Sequence, residues 1–378
     1  LFTIYFLFHS FWNNIFSLST PLMMMMFVDI IFTAGMSFWT IRNRYEYKYF
    51  WVCIITLVVS VLSPIVSIAC VFLTDIYKSE ARIFGIVIVH VIIYGCIYLL
   101  NIRNGKKLWN KKYISYSTKF NIPLIPHYLS QNVLSQADRI MINDMCSVAQ
   151  AGIYSVAYQA GFLINIVTNS INSSFVPYLY ESMSTKRYTS IRKLSIQIEL
   201  LVGMICFLFS LFAPEFLLIL ATEEYHEAIW IIPPISMSAL FIMLYSFFTN
   251  VEFYFEENKF IMFASIIAAA LNVVLNFIFI NMFGYIAAGY TTLFCYIVYS
   301  LAQYIFMCHV CKKNKIDAPY DGKLIWLTAL VFVILSGVSE VLYLLPTIRY
   351  IVITAIVAVS AIIGCKYRNR ILKVLLKK

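Results

Sequence analysis

Apolar stretches of about 20 residues recur from one end of the chain to the other, as in FWVCIITLVVSVLSPIVSIACVFL at 50–73. Segments of this kind leave few options. Hydrocarbon satisfies no backbone N–H or C=O, so each stretch must close its hydrogen bonds within itself, as a spanning helix. Composition agrees: 62% of the 378 residues are hydrophobic and 12% are charged, against about 25% charged in a soluble domain. The pattern predicts an all-α polytopic membrane protein, with helices near 18–39, 50–73, 83–101, 120–143, 153–178, 194–220, 229–251, 260–281, 285–308, 324–344 and 349–365. That is eleven full spans after a stub at 1–10, whose opening LFTIYFLF reads as the tail of a helix that starts outside the chain.

A net charge of +10 would suggest nucleic acid in a soluble protein, but its placement points elsewhere. The alternate connections 40–49, 102–119, 179–193, 252–259, 309–323 and 366–378 hold 24 of the 28 Lys and Arg. By the positive-inside rule these connections and the C-terminus face the cytoplasm, where the basic excess meets anionic lipid. Nucleic acid is not expected as a partner. The acidic EFYFEENK at 252–259 fits the rule poorly.

The longest polar connection, at 102–119, is expected to separate the remnant of a first helical lobe (1–101) from a second, six-helix lobe (120–308), with two additional helices and a basic tail at 309–378. Outer connections are short. The one acidic cluster among them, Glu223, Glu224, His226 and Glu227, is either solvated or a general-base or metal site. The nine cysteines are scattered, and CHVC at 308–311 has no second cluster to complete a ligand set, so neither a metal nor a cofactor is expected.

Polar residues inside spans carry the functional signal, because each costs free energy in hydrocarbon. The segment IPLIPHYLSQNVLSQADRIMI at 122–142 places His127, Gln131, Ser135 and Asp138 on one helical face. Pro123 and Pro126 suit its first turn. Arg139 lies about 100° around the helix from Asp138, so each is expected to meet a group elsewhere. Arg139 is read as the one cation held within a span, either in a cavity or paired with Glu199, Asp29 or a carbonyl. Further stripes are Tyr154, Tyr158, Asn165, Asn169 and Asn172, and then Ser265, Asn272 and Asn276. Such amides either line a polar space or join helices by hydrogen bonds. Asp29 and Glu199 are candidates for binding a coupling ion, or else structural partners of nearby donors.

The runs NIPLIPHYLSQNVLSQADRIMI, AGIYSVAYQAG and LNVVLNFIFINMFGYIAAGYTTL, together with FWTIRNRYEYKYF, closely resemble bacterial polysaccharide and O-antigen flippases of the multidrug/oligosaccharidyl-lipid/polysaccharide exporter superfamily. The resemblance implies two six-helix lobes around a central, often cationic cavity, and a chain that lacks about two and a half helices at its start. It also implies a transporter, not an enzyme, that moves undecaprenyl-diphosphate-linked oligosaccharide across the bacterial cytoplasmic membrane by alternating access. Its partners would be that lipid-linked substrate, membrane lipids, a polysaccharide polymerase and assembly proteins.

The substrate-binding residues are then expected to be Arg139, Asp138, Gln131, His127, Asn165, Asn169, Asn272 and Asn276, with Arg139 on the diphosphate and the asparagines on sugar hydroxyls. Two other readings stay open. One is a cation-coupled small-molecule exporter that uses Asp29 or Glu199. The other is a membrane glycan polymerase or ligase that uses the acidic outer cluster.

Overall fold

The computed structural model describes residues 2–16, 18–74, 76–105, 110–220, 223–356 and 358. Among them every regular element is a helix. In chain order these are α1 (Phe2–Leu7), α2 (His9–Phe16), α3 (Thr20–Tyr45), α4 (Tyr49–Phe72), α5 (Lys78–Gly105), α6 (Lys111–Asn121), α7 (Leu124–Met145), α8 (Val148–Phe162), α9 (Ile164–Ser184), α10 (Tyr188–Leu211), α11 (Ala213–Leu220), a 3-10 segment (Glu223–Ile231), α12 (Ile232–Tyr254), α13 (Asn258–Phe283), α14 (Ala287–Lys313) and α15 (Gly322–Leu342). A shorter apolar helix, α16, runs from Pro346 to Ile356.

Nine of the described helical segments are long and apolar enough to cross a membrane. The 22-residue α7 is not among them. Its length suffices, but His127, Gln131, Asn132, Gln136, Asp138 and Arg139 dilute its apolar surface. The chain is a multi-pass membrane protein.

Three expectations need correction. The connection at 102–119 is partly helical: α5 runs on to Gly105, and 111–121 form α6, which buries none of its residues. The single helix expected at 153–178 is two helices that meet at Leu163. Glu252 does not lie in a loop but in the last turn of α12, fully buried. Of the last expected span, at 349–365, residues 349–356 and 358 are described, and the basic tail at 366–378 lies outside the described residues.

Chain packing divides the protein into two units, at Ser115. In the first, α5 packs on both α3 and α4. Its approach to α4 is close: a Cβ built on Gly85 would lie 2.5 Å from Ser67 Cα. Ser67 Oγ also donates to Arg82 O at 2.8 Å. Toward α3, Asn101 donates to Gly35 O at 3.0 Å, and Phe32 meets Tyr98 edge-on.

The second unit is built round α12, in which all but Tyr245 and Ser246 are buried from Ile232 to Glu252. A helix apolar on every side belongs in a core, and α8, α9, α10, α14 and α15 surround this one. Against α10, α15 makes a close approach: a Cβ on Gly203 would lie 2.3 Å from the Phe332 ring. At the N-terminus of α8, Ser147 Oγ accepts from Gln150 N–H at 3.2 Å, the first half of a capping box. Beyond α15, Arg349 is 5% exposed and ion-paired with Glu215.

Four of the connections that the charge rule groups together close in one way. Tyr47, Lys186, Glu256 and Lys315 each take a left-handed conformation, with φ of 56°, 56°, 59° and 54°. In each, the following N–H reaches back to a carbonyl five residues earlier: Lys48 to Asn43, Arg187 to Ser182, Glu257 to Glu252 and Ile316 to Cys311, at 2.8–3.0 Å. This is the Schellman closure. A side chain in that conformation costs roughly 1–2 kcal/mol, offset here by capturing carbonyls that would otherwise end the helix unpaired.

The poor fit of 252–259 to the charge rule also has an explanation. Glu252 is inside α12, Glu256 accepts the Tyr116 hydroxyl at 2.5 Å, and Glu257 pairs with Lys313.

The α4–α5 approach is testable. Gly85→Val should destabilise the protein by about 1–3 kcal/mol through overpacking, while Gly152→Ala, whose added Cβ meets nothing within 4 Å, should not. Unfolding midpoints in detergent would compare them.

Candidate functional site

Two neighbouring residues of α7 do opposite things. Asp138 is 1% exposed and looks inward. One carboxylate oxygen accepts from the Tyr154 hydroxyl of α8 at 2.7 Å and from the Thr292 hydroxyl of α14 at 3.0 Å. The other accepts from the Asn276 amide of α13 at 3.2 Å. Asn276 also donates to Asn272 Oδ1 at 3.2 Å and accepts the Thr291 hydroxyl, while Asn272 donates to Thr292 at 3.4 Å. Four helices therefore meet on one carboxylate. Burial makes an unpaired carboxylate costly, and three donors aimed at this one offset that cost.

The same face continues along α7. Gln131 donates to the Tyr299 hydroxyl of α14 at 3.2 Å. His127 is 8% exposed, and its Nδ1 has no hydrogen-bond partner. Of the stripe legible in the sequence, Gln131 and Asp138 bond α13 and α14 and His127 is buried with Leu124, Leu134 and Ile142, while Ser135 lines a pocket elsewhere on α7.

Arg139 is turned away from this network. It helps line a pocket of about 370 Å³ with Ser135, Gln136, Tyr158, Gln159, Phe162, Leu163 and Ile166. Its guanidinium carbon sits 4.5 Å from the centre of the Tyr158 ring, and Nη1 donates to Gln136 at 2.6 Å. Nε has no partner, and neither does the buried Tyr158 hydroxyl. No carboxylate lies within ion-pair distance of Arg139 among the described residues. The acids that could have paired with it are engaged elsewhere: Glu199 accepts the Thr328 hydroxyl at 2.5 Å, and Asp29 bonds His90 at 2.6 Å.

The pocket is amphipathic, lined by a cation, amides and hydroxyls together with Phe162, Leu163 and Ile166. Such a lining suits a ligand with an anionic group next to an apolar chain.

The asparagines separate into three environments. Asn272 and Asn276 belong to the Asp138 network. Asn165 is buried with neither amide atom partnered. Asn169 is exposed three positions beyond Ile166 on α9, followed by exposed Ser170 and Ser174. Asn172 accepts from Asn250 of α12 at 2.8 Å. In the outer cluster, His226 and Glu227 are exposed, and Glu227 accepts the Tyr285 hydroxyl at 3.3 Å. The described residues hold no group of three His, Cys, Asp or Glu arranged for a metal.

Sequence reading missed Thr292, Gln159, His90 and Glu252. Thr292 and Gln159 sit in otherwise unremarkable helical runs, and only the fold brings them to α7. A scan for ionisable residues at mid-span would have found His90.

Residues 1–183 match a family described as "Polysaccharide biosynthesis protein". Two proteins of Haemophilus influenzae are similar in sequence. "Lsg locus putative protein 1" is 25% identical over 54% of this chain and 53% of its own length, and an "Uncharacterized membrane protein" is 27% identical over 53% and 52%. The chain thus spans about half the length of the curated relatives it matches. In fold it resembles the lipid II flippase MurJ in an inward closed conformation, with a TM-score of 0.53 and 16% identity over 88% of this chain and 72% of that one.

If Asp138 joins the four helices, Asp138→Ala should destabilise the protein by about 3 kcal/mol, since it leaves buried donors unpaired. Thr292→Val should cost about 1 kcal/mol. Equilibrium unfolding in mixed micelles would measure both.

Proposed function

We propose that this chain, whose residues 1–183 match the family described as "Polysaccharide biosynthesis protein", is a flippase for undecaprenyl-diphosphate-linked oligosaccharide in the bacterial cytoplasmic membrane, serving surface polysaccharide assembly. The observation that carries this reading is Arg139: a guanidinium on α7, with no carboxylate within ion-pair distance among the described residues, lining an amphipathic pocket. A substrate of this class joins a diphosphate to a polyisoprenoid and a glycan, and the pocket offers a matching surface for each part. Arg139 takes phosphate oxygens, which its planar fork can meet in pairs. Phe162, Leu163 and Ile166 lie against the first isoprene units. Gln136, Gln159 and the exposed Asn169, Ser170 and Ser174 of α9 offer hydrogen bonds to sugar hydroxyls.

On this reading Asp138, Asn272 and Asn276 serve the site by holding α7 in register with α8, α13 and α14, so that Arg139 keeps its direction. The basic connections face the cytoplasm, the C-terminus with them, and transport proceeds by alternating access. The work is transport, not catalysis, and lipid, polymerase and assembly proteins are its partners.

Complementation of a strain lacking the gene tests this. Arg139→Ala should abolish surface polysaccharide while the protein remains in the membrane, and Arg139→Lys should restore only part of it, since an ammonium cannot reproduce a bidentate bond. Full export by Arg139→Ala would remove the phosphate role.

A further inference from the structure

Tyr158 of α8 carries a hydroxyl that the packing around it does not use. The residue is 3% exposed. Its ring stacks on Phe162 with centres 5.3 Å apart, lies 5.8 Å from the ring of Tyr154, and has the Arg139 guanidinium carbon 4.5 Å from its centre. None of these contacts needs the hydroxyl, which has no hydrogen-bond partner. One turn earlier, by contrast, the Tyr154 hydroxyl donates to Asp138 at 2.7 Å. A buried hydroxyl without a partner costs free energy. Phenylalanine would fill the same space without that cost, so folding alone does not account for a tyrosine here.

A second donor beside it is in the same state. Arg139 Nη1 donates to Gln136 at 2.6 Å, while Nε is buried and unpartnered. That leaves the Nε–Nη2 edge of the guanidinium, a fork able to meet two oxygens at once. Unpartnered buried hydroxyls also occur at Ser182 and Ser236, but Tyr158 and Arg139 are two such residues lining one pocket. The backbone of the same pocket is irregular. At Leu163, within the 37-residue apolar stretch Val148–Ser184, α8 gives way to α9. Here Leu163 N–H turns to Ala160 O at 3.3 Å and Ile166 N–H to Leu163 O at 3.1 Å, each only three residues back. Broken helices are tolerated in membranes where they are buried in protein or line a cavity, and the first turn of a helix, here α9, favours a nearby anion.

We propose that Tyr158 is a substrate-recognition residue: its hydroxyl and the Nε–Nη2 edge of Arg139 bind the same phosphate group of a lipid-linked diphosphate. The inference rests on the flippase reading and adds a second donor to its phosphate site. A phosphate inside a diphosphate diester presents two non-bridging oxygens in a tetrahedral arrangement. The guanidinium edge takes both, and the phenol, carried by the ring over which the guanidinium lies, donates from a second direction. A planar carboxylate accepts near its own plane, so it meets donors from two directions less well. Tyr158 thereby favours phosphate over carboxylate. Both donors are covered in this structure, and the ligand reaches them by drawing the guanidinium off the ring. No covalent bond changes.

Tyr158→Phe is the decisive variant, because it keeps the ring and removes only the hydroxyl. Two measurements on the full-length protein in detergent micelles are needed. In thermal unfolding without ligand, Tyr158→Phe should have a midpoint at or above that of the wild type, since the lost group had no partner. In titrations with undecaprenyl diphosphate followed by microscale thermophoresis, Tyr158→Phe should bind at least tenfold more weakly than the wild type, and Arg139→Ala should show no measurable binding. Undecaprenol, which lacks phosphate, should bind all three proteins alike, and inorganic diphosphate at the same concentration should not displace the lipid.

A wild-type Kd in Tyr158→Phe, with binding lost in Arg139→Ala, overturns the role of Tyr158 and leaves the phosphate role of Arg139 standing. A lowered unfolding midpoint in Tyr158→Phe assigns the hydroxyl to folding and overturns the inference equally. Unchanged binding in both variants overturns the phosphate role of Arg139 and this inference with it. A Tyr158→Phe defect as large with undecaprenol as with the diphosphate, or displacement of the lipid by inorganic diphosphate, overturns the assignment to a lipid-linked phosphate.

Discussion

A carboxylate held among helices that carry few other polar groups must find its donors within the chain, and Asp138 finds three, on three different helices. Much of the second unit follows from that requirement. Tyr154, Asn276 and Thr292 are useful to Asp138 only if α8, α13 and α14 hold fixed rotations and heights relative to α7. Apolar packing among helices in lipid does not set such a register, because Leu against Leu is worth little more than Leu against an acyl chain. The hydrogen bonds do set it. Arg139, one residue on, then inherits a direction away from the network and toward an open pocket.

The other acids follow the same rule with different partners. Glu199 takes a hydroxyl from α15, Glu215 takes Arg349 and Tyr350, and Asp29 takes His90. Through Glu199 and the Gly203–Phe332 approach, α15 is fastened to α10. Ionic and polar side-chain bonds thus join helices distant in sequence, while four turns between sequential helices share one backbone closure.

The legibility of this protein from its sequence follows the range of the interactions involved. The helical class and most helix positions were readable because each span satisfies its own backbone, which makes hydrophobic length a local signal. The alternation of charge between connections was readable for the same reason. The amphipathic face from His127 to Asp138 was also visible, since 3.6-residue periodicity is a property of one helix. What that face touches was not. Thr292 lies 154 residues from Asp138 and His90 lies 61 from Asp29, and neither spacing carries periodic information. The break at Leu163 and the helix at 111–121 escaped for a smaller reason, as polar or bulky residues at an element's edge support helix and turn nearly equally.

By itself, then, the sequence determined that the chain carries a series of helices long and apolar enough to span a membrane, with Lys and Arg concentrated in alternate connections, and that 122–142 is anomalously polar for its setting. Tertiary structure alone decided which of those polar residues join helices and which remain open to a ligand. The physical reason is that adjacent positions on a helix point about 100° apart, so Asp138 and Arg139 are neighbours in sequence but look into different surroundings. Packing by α8, α13 and α14 closed the surroundings of Asp138, and the pocket between α7 and the α8–α9 pair left those of Arg139 open.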